Sequence, residues 1–143
     1  MGRTHVGLER TPDGRRLVVS RDIDASADDA WRLLTDTERW PEWGPSVRAV
    51  EAAERIITDE TTGRVRLPGG LWLPFEITSC LDRRWTWTVA RIPATGHFVE
   101  ERDGGCRVGF ELSVLAGGYA PVCARALGHI EKLLAGEKQA EEN

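Results

Sequence analysis

The sequence DASADDAWRLLTDTERWPEWGPSV, from Asp24 to Val47, predicts a helix that ends in an aromatic corner. Ser26 is a favourable N-cap residue, and Asp28 and Asp29 place negative charge in the first turn, where the helix dipole favours it. The apolar residues recur at the spacing of one buried helical face: Ala27, Ala30, Trp31 and Leu34. Further helical turns are expected to stop at Pro41, Gly44 and Pro45. The stretch therefore predicts one helical insertion after a first strand.

Most of the remaining chain alternates apolar and polar residues, as strands do. The alternation predicts strands at about residues 16–24, 46–54, 63–67, 71–81, 84–92, 95–102 and 106–115, with a further short strand at 5–9 joined through the turn signal Asp13-Gly14. Short connections between consecutive strands indicate one antiparallel sheet of about six or seven strands, covered on one face. A terminal helix is expected from about Gly118 to Ala135, ended by Gly136. The fold class is α+β.

The strand predicted at residues 84–92 carries two of the six tryptophans. Trp85 and Trp87 share one face with Val89 and Arg91, so an inward orientation of that face would line one wall of a cavity. The alternative is that the tryptophans simply fill the core, and the pattern leaves both possibilities open. Arg21 lies on an apolar strand face as well, where it either covers apolar surface at a strand end or lines a polar part of a cavity.

Length and composition predict one soluble domain over residues 1–143. The chain is 41% apolar and 29% charged, which is ordinary for a globular protein, and its net charge of −4 argues against nucleic-acid binding. Three widely spaced cysteines without a CxxC motif predict buried free thiols. Because neither a membrane-spanning run nor a signal-peptide core is evident, we expect a cytoplasmic protein without stable membrane insertion.

Two segments of the chain carry a family resemblance. The first contains Ile23-Asp24-Ala25-Ser26, Ala30-Trp31, Leu34-Thr35-Asp36, Arg39-Trp40-Pro41, Trp43 and Pro45-Ser46-Val47. The second contains Trp85-Thr86-Trp87-Thr88-Val89, Ile92-Pro93-Ala94-Thr95-Gly96-His97 and Gly104-Gly105-Cys106-Arg107-Val108. Together they resemble the START-like polyketide cyclase/dehydrase superfamily, also called SRPBCC, helix-grip or Bet v 1-like. The resemblance covers about residues 16–135, which it implies are the core of the domain. The resemblance implies a curved antiparallel sheet, two short helices after the first strand and a long C-terminal helix.

His97 is the titratable residue that the sequence singles out as the best catalytic candidate. It follows a proline bend on a predicted strand and shares a face with Thr95 and Val99. The other two histidines, His5 and His129, do not stand at metal-ligand spacing with it, so we expect no metal site and no cofactor. No nucleophile or phosphate-loop motif occurs in the sequence.

The resemblance and the residue pattern together lead to a functional hypothesis. We expect a small hydrophobic or aromatic molecule, such as a polyketide, lipid or isoprenoid, to bind in an internal cavity of a monomer or homodimer. The candidate ligand-binding residues are Trp43, Phe75, Ile77, Trp85, Trp87, Arg91, His97, Phe110 and Leu112. The alternative is an aromatase/cyclase or dehydratase enzyme, for which proton transfer would have to come from His97, Arg91, Arg21 or Glu76.

Overall fold

The computed structural model describes residues 3–142 and contains one eight-stranded sheet with helices packed on its inner face. The strands are β1 (Thr4–Thr11), β2 (Gly14–Ile23), β3 (Ala49–Ala52), β4 (Thr62–Arg66), β5 (Trp72–Leu81), β6 (Arg84–Val89), β7 (Ile92–Arg102) and β8 (Gly105–Leu112). The helices are α1 (Ala27–Thr35), α2 (Trp40–Trp43) and α3 (Ala120–Glu142), with 3₁₀ segments at Thr37–Arg39 and Val114–Tyr119. The strand order is β1-β2-β8-β7-β6-β5-β4-β3, and all pairs are antiparallel. The predicted α+β helix-grip fold is confirmed, with eight strands rather than six or seven.

Helix α1 begins as the sequence predicts. The Ser26 side chain accepts a hydrogen bond from the backbone N–H of Asp29 at 3.1 Å and caps the helix. The buried face is formed by Ala27, Ala30, Leu33 and Leu34, which are at most 5% exposed. The prediction that Trp31 belongs to this buried face is wrong, since Trp31 is only half-buried and Leu33 takes the inner position.

The aromatic corner after α1 is tied to the helix by indole hydrogen bonds. Trp40 donates from Nε1 to the carbonyl oxygen of Leu34 at 2.9 Å, and Trp43 donates to that of Leu33 at 3.3 Å. Pro41 lies in the single turn of α2, where its missing N–H costs no helical hydrogen bond. These bonds satisfy helix-end carbonyls and turn two large rings toward the sheet. The strand predicted at 46–54 shortens to β3 because its first residues belong to this corner.

A tight turn at Ala90-Arg91 connects β6 to β7. Both residues have positive φ angles, 52° and 67°, which is the signature of a type I′ hairpin turn. The prediction of a strand over residues 84–92 is therefore wrong, because the strand ends at Val89. Pro93 lies inside β7 opposite Thr88, at a position where β8 has not yet joined the sheet, so no ladder bond is lost on that side.

Helix α3 packs its apolar face across β2 and β8, as the helix-grip arrangement requires. Its buried residues are Cys123, Ala126, Leu127, Ile130 and Leu134. The prediction that Gly136 ends this helix is wrong, since the helix continues to Glu142. Gly136 does not adopt the left-handed conformation of a C-terminal glycine, and the residues after it are good helix formers.

Arginine–carboxylate pairs cover the outer face of the sheet. Arg84 contacts Glu111 at 2.7 Å and Asp13 at 2.9 Å, and the side chain of Glu111 is only 5% exposed. Phe98 lies over Gly109, which leaves no space for a larger residue there. The outer face is thus packed by polar pairs and glycines, and the apolar core lies on the inner face alone.

Candidate functional site: an aromatic cavity beside an open cleft

A small apolar cavity of about 60 Å³ lies between the aromatic corner, the central strands and the first half of α3. The corner contributes Trp40, Trp43, Gly44, Pro45, Ser46 and Val47; strands β6, β7 and β8 contribute Trp85, Trp87, Thr95, His97 and Phe110; and the C-terminal segment contributes Tyr119, Val122, Cys123 and Ala126. Three separate parts of the chain therefore meet around one space.

A wider cleft of about 770 Å³ adjoins this cavity, and five residues line both spaces: Ser46, Val47, Trp87, Thr95 and Tyr119. Apolar side chains continue its wall at Val65 of β4, Leu67 just after β4, Leu73 of β5 and Leu112 of β8. Hydroxyl groups of β5 and β6 add a polar part at Thr78, Ser79, Thr86 and Thr88, and the charged residues Asp13, Arg16 and Glu111 border the same space. A molecule in the cleft would therefore reach the aromatic cavity at one of its ends.

Stacked rings form the wall of the cavity. Trp85 is 1% exposed and stacks on His97 at a centroid distance of 3.7 Å and an interplanar angle of 13°. It also stacks on Trp40 at 5.1 Å and 6°. Trp43 stacks on Phe110 at 5.9 Å and 17°. Rigid, mutually packed rings keep their shape without a ligand, so this wall is largely preformed.

The polar groups of the wall form a short hydrogen-bond chain. Trp87 donates from Nε1 to Thr95 Oγ1 at 3.2 Å, and Thr95 Oγ1 lies 2.9 Å from His97 Nε2. The other ring nitrogen of His97, Nδ1, lies 3.4 Å from the carbonyl oxygen of Trp85. The indole N–H of Trp85 itself is buried without a hydrogen-bond partner within residues 3–142. A buried donor left unpaired costs about 1–3 kcal/mol.

Burial keeps the titratable groups of the cavity neutral. Loss of solvent lowers the pKa of His97 to about 3; the hydrogen bond to the Trp85 carbonyl opposes this shift, and the Arg84 guanidinium adds to it. Burial also raises the pKa of the Tyr119 phenol and raises that of the Cys123 thiol to about 12. The cavity therefore offers hydrogen-bonding groups rather than charges near neutral pH.

Ser46 and Tyr119 join the two sides of the entrance. Their hydroxyl groups hydrogen-bond to each other, which links the aromatic corner to the segment that precedes α3. Both residues border the cavity and the cleft, so this contact lies between the two spaces.

Among residues 3–142, no helix combines the length and the apolar character needed to cross a bilayer.

The structure brings together most of the residues that the sequence predicts for the ligand-binding site. The cavity wall contains Trp43, Trp85, Trp87, His97 and Phe110, and the cleft wall contains Leu112. Phe75 and Ile77 lie instead in the core, where Phe75 packs against Trp40 and Trp87 at 5.4 and 5.7 Å.

Two of the arginines named above lie elsewhere. The prediction that Arg91 shares the tryptophan face is wrong, because the residue is exposed in the β6–β7 turn. Arg21 does not line either space; it donates to Glu131 of α3 at 3.0 Å and to Thr4 at the sheet edge. Glu76 is exposed on β5, outside the walls of the cavity and of the cleft.

Several wall residues were not identified from the sequence. Trp40 and the corner residues 44–47 reach the cavity through the turn of α2. Tyr119 reaches it from the 3₁₀ segment before α3, and Val122, Cys123 and Ala126 reach it from α3 itself. Thr95 had one available signal, because it shares a strand face with His97. The hydrogen bond between Ser46 of the corner and Tyr119 joins residues more than 70 positions apart, and no local sequence pattern indicates such a contact.

A match to a family model identifies the family of the chain. Residues 15–140 match the family described as polyketide cyclase / dehydrase and lipid transport, and the chain belongs to that family. A comparison with curated proteins finds no match.

Solved structures share the fold at low sequence identity. Protein Ms6760 from Mycobacterium smegmatis is 17% identical, with a TM-score of 0.62 over 93% of this chain and 99% of that one. StfQ, a di-domain ARO/CYC from the steffimycin biosynthetic pathway, is 16% identical, with a TM-score of 0.64 over 87% of this chain and 51% of that one. The Aha1 dimer from Colwellia psychrerythraea is 16% identical, with a TM-score of 0.63 over 82% and 93%. These likenesses establish the architecture.

Proposed function

We propose that the protein binds a small, largely apolar molecule, aromatic or of polyketide, lipid or isoprenoid type, with one end in the aromatic cavity. The observation that carries this proposal is the preformed ring wall of Trp43, Trp85, Trp87 and Phe110, interrupted by few polar atoms, beside an open cleft. Small-molecule sites in proteins have this composition. The family's description and the ARO/CYC neighbour are in keeping with a ligand of this chemistry.

The volumes decide how such a ligand would lie. Ligand pockets commonly measure about 300–1,000 Å³, which is far larger than the aromatic cavity. The tryptophans fill much of the interior, so the cavity of about 60 Å³ accepts only one end of a ligand. The cleft of about 770 Å³ holds the rest, and the ligand enters past Ser46 and Tyr119.

The test is calorimetric titration of the protein with 2-methylnaphthalene, together with native mass spectrometry of the purified chain for a retained molecule. Ala126→Leu adds three carbon atoms at a cavity wall and should abolish binding while the circular-dichroism spectrum is kept. Ala135→Leu, at an exposed position of the same helix, is the matched control and should bind as the parent does. Equal binding by both variants, or no binding by the parent protein, would overturn the proposal.

A cyclase or dehydratase activity is the second candidate, and the description of the StfQ neighbour as an ARO/CYC is the observation that favours it. Such chemistry needs a group that transfers a proton at the ligand. The walls offer the Tyr119 phenol for this role, since both ring nitrogens of His97 face protein atoms. Cyclisation of a polyketide substrate that is lost in Tyr119→Phe, while binding persists, would establish the enzymatic role.

A further inference from the structure

The hydrogen-bond chain Trp87–Thr95–His97 has a direction that the chemistry of its groups fixes. An indole N–H can only donate, so Trp87 occupies one lone pair of Thr95 Oγ1. The Thr95 hydroxyl carries a single hydrogen, and its neighbour at 2.9 Å is His97 Nε2. Whether Thr95 Oγ1 keeps an unused hydrogen or an unused lone pair therefore depends on which nitrogen of His97 bears the proton.

The surroundings of His97 select the Nδ1–H tautomer. Nδ1 faces the carbonyl oxygen of Trp85 at 3.4 Å, so a proton there is donated to an acceptor. The opposite tautomer would set a bare Nδ1 against that oxygen and would leave the Thr95 hydrogen without a partner in residues 3–142. Such buried unpaired groups are costly. With Nδ1 protonated, Nε2 accepts from the Thr95 hydroxyl and every hydrogen of the chain is used.

One lone pair of Thr95 Oγ1 is then left without a partner among the residues described. Thr95 borders both the cavity and the cleft, which is where a ligand would lie. We propose that Thr95 Oγ1 is the polar anchor of the site and accepts a hydrogen bond from a hydroxyl group of an otherwise apolar ligand. The site therefore selects phenols or alcohols over ethers and ketones of the same shape. This inference rests on the proposed binding function.

Three probes of similar shape separate the possibilities: 2-naphthol has a hydroxyl donor, 2-methoxynaphthalene has only an acceptor, and 2-methylnaphthalene has neither. A net hydrogen bond between neutral groups corresponds to about a fivefold change in dissociation constant. We expect calorimetry to show 2-naphthol binding about fivefold tighter than 2-methylnaphthalene, and 2-methoxynaphthalene gaining nothing. Two-dimensional NMR of the imidazole nitrogens should show the proton of His97 on Nδ1 in the free protein.

Variants at Thr95 decide whether this residue is the anchor. Thr95→Val keeps the shape and removes the oxygen, so the preference for 2-naphthol should disappear, whereas Thr95→Ser should keep it. Thr62→Val changes an exposed threonine of β4 that lines neither the cavity nor the cleft, and it should leave the preference unchanged. The ratio of two affinities is compared within each variant, so a general loss of stability cannot imitate the effect.

The outcomes distinguish this inference from the function on which it rests. Binding of all three probes with equal affinity, a preference that survives in Thr95→Val, or a proton found on Nε2 would each overturn the role of Thr95 alone. Failure of all three probes to bind the parent protein would overturn the proposed function and this inference together.

Discussion

Acidification should destabilise the protein through His97 in a way that one substitution removes. The imidazole is 3% exposed, and burial lowers its pKa from 6.5 to about 3. Between these two values the unfolded chain binds a proton that the folded chain refuses. Stability is therefore unaffected by His97 above pH 6.5 and falls as the pH decreases from about 6.5 toward about 3.

The size of the effect follows from the same two values. Each pH unit within the window costs about 1.4 kcal/mol, so the loss at pH 5 is about 2 kcal/mol and the full loss near pH 3 is roughly 5 kcal/mol. Small domains are stable by about 5–15 kcal/mol, so this one residue removes a large part of the total. His97→Gln keeps a donor and an acceptor at the site but cannot take up a proton near these pH values.

The assay is urea unfolding followed by circular dichroism at pH 7, 6, 5 and 4, for the parent protein and for His97→Gln. All other titratable groups are shared, so the difference between the two free energies of unfolding isolates the histidine. The parent should lose about 2 kcal/mol more than the variant between pH 7 and pH 5. Parallel curves for the two proteins would show that His97 is protonated as easily in the folded state as in the unfolded one, and that it is not buried in a ring stack.

Two further predictions concern the outer face of the sheet, and both are measured as free energies of unfolding in urea. Gly109→Ala places a Cβ 2.2 Å from the ring of Phe98 and should destabilise the fold by about 1–3 kcal/mol or more, whereas Gly7→Ala meets nothing within 4 Å and should be nearly neutral. Glu111→Ala leaves the partly buried arginine of β6 without its main partner and should cost about 3 kcal/mol, whereas Glu51→Ala in the exposed pair of β3 and β4 should cost less than about 1 kcal/mol. Equal effects within either pair would contradict the packing described for this face.

The architecture was predictable from the sequence because its signals are local. The cap at Ser26 and the alternation along β5 to β8 depend on neighbours within a few residues, and the structure follows them. The wrong predictions occur where neighbouring residues give no information about the backbone conformation. The turn at Ala90-Arg91 contains no glycine, asparagine or proline, so the chain gives no warning that the strand reverses there. The sequence therefore predicts Arg91 on a strand that does not contain it.

The site was predictable only in part, because its walls come from distant segments. Strand alternation correctly turned Trp85, Trp87 and His97 to one face. Alternation does not predict the register shift between Thr86 and Thr88 in the pairing of β6 with β7. Near this shift, Thr95 lies within hydrogen-bond distance of the Trp87 ring. A shift of this kind depends on how two strands fit together and leaves no periodic trace in either one.

The geometry around His97 gives this residue a role different from the one that the sequence predicts. The sequence favours His97 as an acid or base, since an imidazole near its ordinary pKa exchanges protons readily. Once the ring is stacked on Trp85 and both nitrogens face protein atoms, it has no free atom to offer a ligand in the neutral state. Its influence then passes through Thr95, whose hydroxyl hydrogen it accepts and whose remaining lone pair faces the site's occupant in our proposal. A buried histidine of this kind is a fixed hydrogen-bond acceptor, so its threonine neighbour donates to it and is left to accept from the ligand. This direction of the hydrogen bonds persists over the pH range in which the ring stays neutral.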